Sequence, residues 1–274
     1  MLTKKIVSKG FFLKIKKLNI IKFSRANTLK IISAFSLFFA WEIAGRVPIS
    51  FAFPTFFETI EALIAIILNG KIFLAYADTL RPLLLGIAIS AFLGIFIGLF
   101  IGLSEKTDWF ISPIFIIMQA APLAALIPLL IMVYGVQLTS KVFVVIIMSM
   151  PVIVLNTAGA VKNTPSSLQE MCFSYLGSKK DNILKIILPS ASPIIFAGLR
   201  LGVSAGFIGA ILAELKITPT GIGDIISFSR SRGDYPTMYA AIFSIIVLAV
   251  LFINILEKIE KYGFKGNQKG YISD

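Results

Sequence analysis

The stretch PLLLGIAISAFLGIFIGLFIGLS, residues 82–104, contains no charged side chain and is long enough to cross a bilayer as a helix. The hydrocarbon core of a membrane is about 30 Å thick, which roughly 20 helical residues span. Three more uncharged runs of comparable length lie at residues 109–140, 142–161 and 235–256. Runs this long and continuous differ from the alternating strands of a membrane barrel, so they predict membrane-crossing helices.

Two weaker runs raise the predicted number of spans to about six. One extends from about residue 189 to 213 and contains Arg200, and the other extends from about residue 31 to 44 and contains Glu42. The composition agrees with this interpretation, because 57% of the 274 residues are hydrophobic and only 15% are charged. Soluble domains rarely combine such values. The predicted fold class is therefore an all-α membrane protein with about six transmembrane helices.

The net charge of +12 could indicate nucleic acid, but the positions of the charges favour a membrane topology instead. Residues 1–30 hold nine Lys or Arg and no acidic residue, and four more lysines follow the last span. Basic segments stay in the cytoplasm, so both termini and the segment 162–189 are expected inside. We therefore divide the chain into a basic cytoplasmic arm (1–30), a transmembrane domain (31–256) and a basic cytoplasmic tail (257–274), with no nucleic-acid partner.

The first run after the basic arm also imitates a signal peptide. No small-x-small cleavage pattern follows Ala44, so we interpret it as a retained first helix. The chain has a single cysteine, Cys172, and no histidine, which excludes a multi-cysteine metal site and weakens most catalytic interpretations. The phosphate-binding pattern GxxxxGK[ST] is absent from the sequence, so any ATP hydrolysis is expected on another polypeptide.

Small residues recur at every fourth position in two of the predicted spans and so lie on nearly one face of each helix. They are Gly86, Ser90, Gly94, Gly98 and Gly102 in one span, and Gly198, Gly202, Gly206 and Ala210 in another. Such ridges let helix backbones approach closely inside a membrane. Tight packing within one subunit is the favoured interpretation, and lining of a translocation path is the alternative.

Arg200 and several prolines interrupt the apolar spans. Arg200 would lie about halfway along its helix, where a lone cation normally faces protein or water. It could meet an anionic substrate, or only a neighbouring carbonyl or carboxylate, and the structural role is favoured because no second cation converges with it. Prolines 113, 122, 128, 151 and 193 can kink their helices.

The polar segment KNTPSSLQEMCFSYLGSKKDNILKIILP, residues 162–189, separates two of the predicted spans. Pro165 and the serines after it predict a short helix from about residue 167 to 176 that Gly177 ends. That helix would carry its apolar residues on one side, namely Leu168, Met171, Cys172 and Tyr175. An apolar stripe on a cytoplasmic helix requires a partner surface, either in this chain or in another protein.

This segment resembles the cytoplasmic EAA loop of ABC importer permeases, which couples the permease to its ATPase. The family pattern is EAA, three residues, Gly, nine residues, Ile, one residue and Leu-Pro, and four residues fall in register with it: Glu170, Ile186, Leu188 and Pro189. Met171 and Cys172 replace the two alanines. Gly177 stands one position late, with Leu176 at the position of the family glycine.

The resemblance covers about residues 42–261 and is to the nitrate, sulfonate and taurine branch of these permeases. It is carried by residues 53–63, 81–106, 122–136, 155–161, 188–202 and 218–226. It implies a type I importer permease in a bacterial inner membrane, paired with a second permease copy. Arg200 lies in a GLRLG segment that is similar across the branch, which favours its structural role.

The resemblance also implies the partners and the mechanism. A dimer of ATP-binding subunits would grip the coupling loop and hold the ATP and magnesium, while this chain binds no cofactor and is not an enzyme. An extracytoplasmic binding protein would deliver a sulfonate-, taurine- or nitrate-like solute, or a vitamin precursor, for passage by alternating access. The alternatives are an ATP-independent secondary transporter or channel and, less favoured, a membrane enzyme acting on lipid.

Overall fold

The computed structural model describes residues 28–29, 32–47, 50–217 and 220–264. Most of these residues are helical, and the first helix, α1, covers residues 32–46. The next helices are α2 (Phe56–Leu68), α3 (Lys71–Leu103), α4 (Glu105–Ala120), α5 (Leu123–Tyr134) and α6 (Leu138–Lys162). They are followed by α7 (Ser166–Ser174), α8 (Lys179–Asp181), a π-helical segment (Asn182–Ile187), α9 (Leu188–Lys216), α10 (Ile222–Arg232) and α11 (Tyr235–Phe264). The predicted basic arm lies almost entirely outside the described residues, as does the tail from residue 265.

The predicted class, an all-α membrane protein, is confirmed. Four helical stretches are long and apolar enough to cross a membrane, namely Lys71–Leu103, Leu138–Lys162, Lys179–Lys216 and Tyr235–Tyr262. The pair α4 and α5 gives a fifth crossing if it is taken as one span. The described residues thus contain four or five crossings by length and composition. Helix α1 forms at the predicted first span, over residues 32–46.

The predicted third span is bent rather than straight. Helices α4 and α5 meet at 99° across Ala121 and Pro122. Ala121 is extended, with ψ at 134°, because the ring of a following proline disfavours helical backbone in the residue before it. Pro113 and Pro128 lie inside α4 and α5 without ending them. Of the prolines in this span, Pro122 therefore produces the break.

The predicted fifth span begins about ten residues earlier than the sequence indicated. Its helix starts at Lys179 rather than near Pro189, so Ile186, Leu188 and Pro189 lie within a helix and not in a loop. Ser178 and Asp181 form a capping box that begins it. Pro189 lacks an N–H group and its ring crowds the preceding turn, and most of that turn belongs to the wider π-helical segment.

The two segments before residue 82 and between the fifth and last predicted spans contain the short helices α2 and α10. Thr55 and Glu58 form a reciprocal cap, in which each backbone N–H donates to the other side chain at 2.9 and 3.2 Å, and α2 follows. Helix α10 lies between the fifth and last spans and ends at Gly233, which has a left-handed backbone with φ at 72°. Short amphipathic helices carry no long apolar run, so a search for uncharged runs of about 20 residues does not reveal them.

The described residues fall into two compact units, which divide between Ala62 and Leu63. Within the first unit, the Trp41 indole donates to the carbonyl of Pro54 at 3.2 Å. Glu42 pairs with Arg46, four residues later in the chain, at 2.8 Å. The other oxygen of Glu42 accepts the backbone N–H of Phe57 at 3.1 Å, so one carboxylate ties α1 to the start of α2.

In the second unit, α6 packs against both α3 and α9 along the small-residue ridges. A Cβ atom added at Gly98 of α3 would lie 2.5 Å from Cβ of Thr157 and 2.7 Å from the carbonyl oxygen of Val154, both in α6. A Cβ added at Gly198 of α9 would lie 2.5 Å from Cβ of Asn156, also in α6. The other ridge glycines named above meet side chains of α6 in the same way, except Gly206, which faces Ile87 of α3. These contacts lie within one chain.

The helix bundle of the second unit has two ends, each of which carries a short helix. Helix α7 follows the last residue of α6, and the π-helical segment that contacts it leads into α9, so we call this end the α7 end. Helix α10 follows the last residues of α9 and contacts the first turns of α3, so we call the opposite end the α10 end. Both α6 and α9 run from one end to the other.

We expect Gly98→Ala to lower the free energy of unfolding by about 1–3 kcal/mol, the usual range for overpacking, because the carbonyl of Val154 cannot move away as a side chain could. Gly159 of α6 is the matched control, since an added Cβ there meets nothing within 4 Å. Gly159→Ala should raise stability by roughly 0.5–1 kcal/mol through helix propensity. Thermal unfolding in detergent distinguishes the two, and equal shifts would contradict the packing argument.

Candidate functional site

Helix α7 ends in a Schellman motif that differs from the predicted end. It stops at Ser174, and the N–H of Gly177 donates to the carbonyl of Cys172 at 2.9 Å. The N–H of Leu176 donates to the carbonyl of Phe173 at 3.0 Å. Leu176, and not Gly177, takes the left-handed conformation, with φ at 58°. This pair of bonds satisfies the last carbonyls of the helix.

The position of Gly177, one residue later than the family glycine, has a physical reason. A Cβ at Gly177 would lie 2.5 Å from the Cys172 sulfur and 2.7 Å from the Cys172 carbonyl oxygen, so this position accepts no side chain without movement. Leu176 stands where the family pattern places its glycine, and its positive φ is the conformation that glycine adopts most readily. The left-handed residue therefore falls at the position of the family glycine, although the glycine itself stands one residue later.

The start of α7 has no side-chain cap, although serines follow Pro165. Pro165 occupies the cap position without a side-chain hydrogen bond, so the serines and Glu170 form no capping box. The Gln169 side chain instead donates to the carbonyl of Thr164, at 3.4 Å. Glu170 is exposed on the surface of α7. Its carboxylate is therefore accessible at the α7 end.

The apolar residues of α7 and its end divide between two faces. Leu168 and Cys172 are partly buried against the chain, whereas Met171 and Tyr175 of the predicted stripe point outwards. The exposed apolar side chains, here called the apolar patch, are Met171 (47% exposed), Phe173 (47%), Tyr175 (84%) and Leu176 (94%). The predicted stripe therefore divides along its length, because only the edge with Leu168 and Cys172 packs against the rest of the chain.

A buried amide connects α7 to the beginning of the fifth span. Asn182, only 6% exposed, donates from Nδ2 to Oε1 of Gln169 at 3.3 Å. Ile187 and Ala191 pack on Ala160 and Val161 of α6 just beyond it. The sequence shows Asn182 only as one polar residue among many, so this link could not be found without the fold.

Two ion pairs join helices in the second unit. Lys162, the last residue of α6, contacts Asp108 of α4 at 2.5 Å. Arg200 of α9 contacts Glu260 of α11 at 3.2 Å, and both side chains are partly exposed. Arg200 thus meets a neighbouring carboxylate, one of the options left open by the sequence, and this contact favours its structural role. Among the described residues, no cluster of three His, Cys, Asp or Glu could hold a metal ion.

A long helical bundle with a short polar-flanked helix between two of its spans defines a membrane-embedded transport subunit. Residues 90–261 match the family described as the inner membrane component of binding-protein-dependent transport systems. This match covers more than half of the chain, so the chain belongs to that family and is an ABC importer permease. The resemblance drawn from the coupling loop is thereby confirmed at the level of the family.

Curated relatives agree with this assignment. The chain is 26% identical over 222 residues to the formylaminopyrimidine transport permease protein ThiX of Halalkalibacterium halodurans, covering 80% of this chain and 88% of that one. It is 26% identical over 223 residues to the putative aliphatic sulfonates transport permease protein SsuC of Bacillus subtilis, covering 80% and 81%. It is 29% identical over 178 residues to the nitrate import permease protein NrtB of Synechococcus elongatus, covering 65% and 62%.

A solved structure supports the fold. A chain of the inward-facing MetNI methionine ABC transporter superposes with a TM-score of 0.55 at 18% identity. The superposition covers 66% of this chain and 92% of that chain. At this identity the likeness shows the architecture alone, and that architecture is a type I importer permease.

We expect Leu176→Gly to stabilise the end of α7, because a leucine in the left-handed region carries a strain of roughly 1–2 kcal/mol that glycine lacks. The greater flexibility of glycine in the unfolded chain reduces the gain to about 1 kcal/mol. Leu176→Ile should act in the opposite direction, since a branched Cβ fits this conformation worse. Hydrogen exchange at the amides of Leu176 and Gly177 measures both, and faster exchange in the glycine variant would contradict the assignment.

Proposed function

We propose that this chain forms the solute path of an ATP-driven importer and that α7 with the apolar patch docks on separate ATP-binding subunits. The observation that carries the proposal is the patch itself. Four large apolar side chains stand exposed on α7 and the two residues after it, and the helix has no buried residue. Large apolar side chains left exposed to this extent beside a helix bundle mark an interaction site.

The position of the patch supports a protein partner rather than lipid. It lies beyond the last residue of α6 and before the capped start of the fifth span, among exposed charges. Those charges are Lys162, Glu170, Lys179 and Lys180. A polar rim around an apolar centre is the usual anatomy of a protein interface.

The connection from α7 to the spans gives the docked helix a mechanical role. Asn182 joins Gln169 of α7 to a helix that continues without interruption from Lys179 to Lys216. A force on α7 would therefore act on a membrane-crossing helix through a partly buried hydrogen bond. The ATP-binding subunits must contact α7 differently in their two states, because a contact of equal strength in both shifts no equilibrium. Closure of those subunits would then drive alternating access.

The remaining partners follow from the family. We propose a second permease copy, a dimer of ATP-binding subunits that holds the ATP and magnesium, and an extracytoplasmic solute-binding protein. The α7 end then faces the cytoplasm of a bacterium and the α10 end faces outwards, with both termini inside. The relatives named above transport a formylaminopyrimidine, aliphatic sulfonates and nitrate, so we propose a small polar solute of this range, selected mainly by the binding protein.

The docking proposal predicts that Gly177→Asp and Glu170→Lys leave the protein in the membrane but separate it from its ATPase. Gly177→Asp forces a side chain against Cys172 and opens the helix end, and Glu170→Lys reverses a charge beside the patch. A loss of about 1.4 kcal/mol or more weakens binding at least about tenfold. The measurement is co-purification of the tagged permease with the candidate ATPase, followed by uptake into liposomes with the binding protein.

Glu61→Lys is the matched control, since the same charge reversal is made at an exposed residue of α2. It should leave both the ATPase association and the uptake at the wild-type level. Wild-type association and uptake in the two α7 variants would remove the basis of the proposal. Gradient-driven flux through the purified chain alone would instead favour a secondary transporter.

A further inference from the structure

The α10 end contains buried polar and charged side chains that the docking proposal does not use. Glu214 of α9 is 3% exposed, Lys141 of α6 is 5% exposed, and Thr79 of α3 is fully buried. Ionisable groups inside a membrane-embedded bundle are costly, and where they occur they usually have a function. The sequence shows Glu214 only as a carboxylate near the end of an apolar run.

These three side chains converge on the beginning of α10. Oγ1 of Thr79 accepts the backbone N–H of Ile222 at 3.0 Å. Oε2 of Glu214 accepts the backbone N–H of Gly223 at 2.9 Å. Nζ of Lys141 donates to Oγ1 of Thr220, just before the helix, at 2.6 Å. Helices α3, α6 and α9 thus each give one polar side chain to the same few residues.

The sequence at the start of α10 is matched to this arrangement. Gly221 has φ at 79°, and a Cβ there would collide with the Glu214 carboxylate and lie 2.7 Å from Oγ1 of Thr79. A Cβ at Gly223 would lie 2.5 Å from Cβ of Glu214. The free N–H groups at a helix start carry partial positive charge, which a carboxylate complements. Lys141 adds electrostatic attraction to Glu214.

Helix α9 connects this cluster to the docking helix. The continuous helical stretch Lys179–Lys216 has 38 residues, a length of about 57 Å at 1.5 Å per residue. Asn182 near its beginning is bonded to Gln169 of α7, and Glu214 near its end is bonded to Gly223 of α10. One helix therefore holds a neighbour at each end by a hydrogen bond from a buried side chain.

We propose that Thr79, Glu214 and Lys141 are positioning residues that fasten α10 to the bundle, so that a displacement of α7 reaches α10 through α9. This inference rests on the proposed function, since the displacement comes from the ATP-binding subunits. Buried hydrogen bonds to backbone N–H groups can transmit such a displacement. Breaking one of these bonds leaves a buried polar group without a partner, at a large cost in free energy. Helix α10 therefore moves together with the ends of α3, α6 and α9.

The test compares Thr79→Val with Thr79→Ser in the assembled transporter. Valine keeps the shape of threonine but removes the acceptor for the Ile222 N–H, whereas serine keeps the hydroxyl. Spin labels are placed on exposed Ser227 of α10 or exposed Lys180 of α8, each changed to cysteine in a Cys172→Ser background. The measurement is the nucleotide-dependent change in each spectrum, together with the stimulation of ATP hydrolysis by loaded binding protein.

In the wild-type background both labels should respond to nucleotide. Thr79→Val should keep the response at position 180 but lose most of the response at position 227 and most of the stimulation by binding protein. Thr79→Ser should restore both. A residue that only stabilises the fold would change the nucleotide response of both labels alike. A loss of response at position 227 alone therefore identifies a positioning role.

Three results would overturn the inference. In the first, folded Thr79→Val keeps a full response at position 227. In the second, the wild-type label at 180 responds while the label at 227 stays silent, which leaves the docking proposal standing. In the third, neither wild-type label responds, which overturns both proposals. If Thr79→Val does not fold, Lys141→Met takes its place, because it removes the bond to Thr220 and should produce the same loss of response at position 227 alone.

Discussion

Close backbone contact between α6 and its two neighbours is the constraint on which the second unit depends. Inside a membrane, lipid supplies no hydrophobic force between helices, so packing must hold them together. Gly98 lets α3 approach α6 closely, and Gly198 lets α9 approach α6 closely. The bond between the hydroxyls of Ser149 and Ser90, at 2.8 Å, adds a polar contact on the same seam. Once α3, α6 and α9 are fixed to one another, the positions of both ends of the bundle are determined.

The two ends use this rigid centre in the same manner. At the α7 end, the amide of Asn182 reaches Gln169, and at the α10 end the carboxylate of Glu214 reaches Gly223. Each contact joins the long helical stretch Lys179–Lys216 to a short helix through a buried polar side chain of the long helix. A buried polar group has few alternative partners in such surroundings, so these bonds define the positions of the short helices more sharply than apolar contacts could.

Much of this architecture could be predicted from the sequence, because uncharged runs and four-residue glycine spacing report directly on helices in lipid. The sequence failed where local backbone chemistry decides. Pro122 bends the third span because of its effect on Ala121, and Ser178 with Asp181 begins the fifth span ten residues before Pro189. The hydrogen bond that Gln169 accepts was hidden for another reason, since a polar side chain reveals its partner only when the fold brings both together.

The segment 162–189 shows a physical reason why the glycine of a family pattern can move by one residue. The helix end requires a left-handed residue followed by one without a side chain, because the second lies against Cys172. Those two requirements fall on adjacent positions, and a single glycine can relieve only one of them. Here the steric requirement takes Gly177, and Leu176 bears the conformational strain while exposing 94% of its surface. A strained residue persists only where something else compensates for it, and burial of Leu176 against the proposed ATP-binding subunit would supply that compensation.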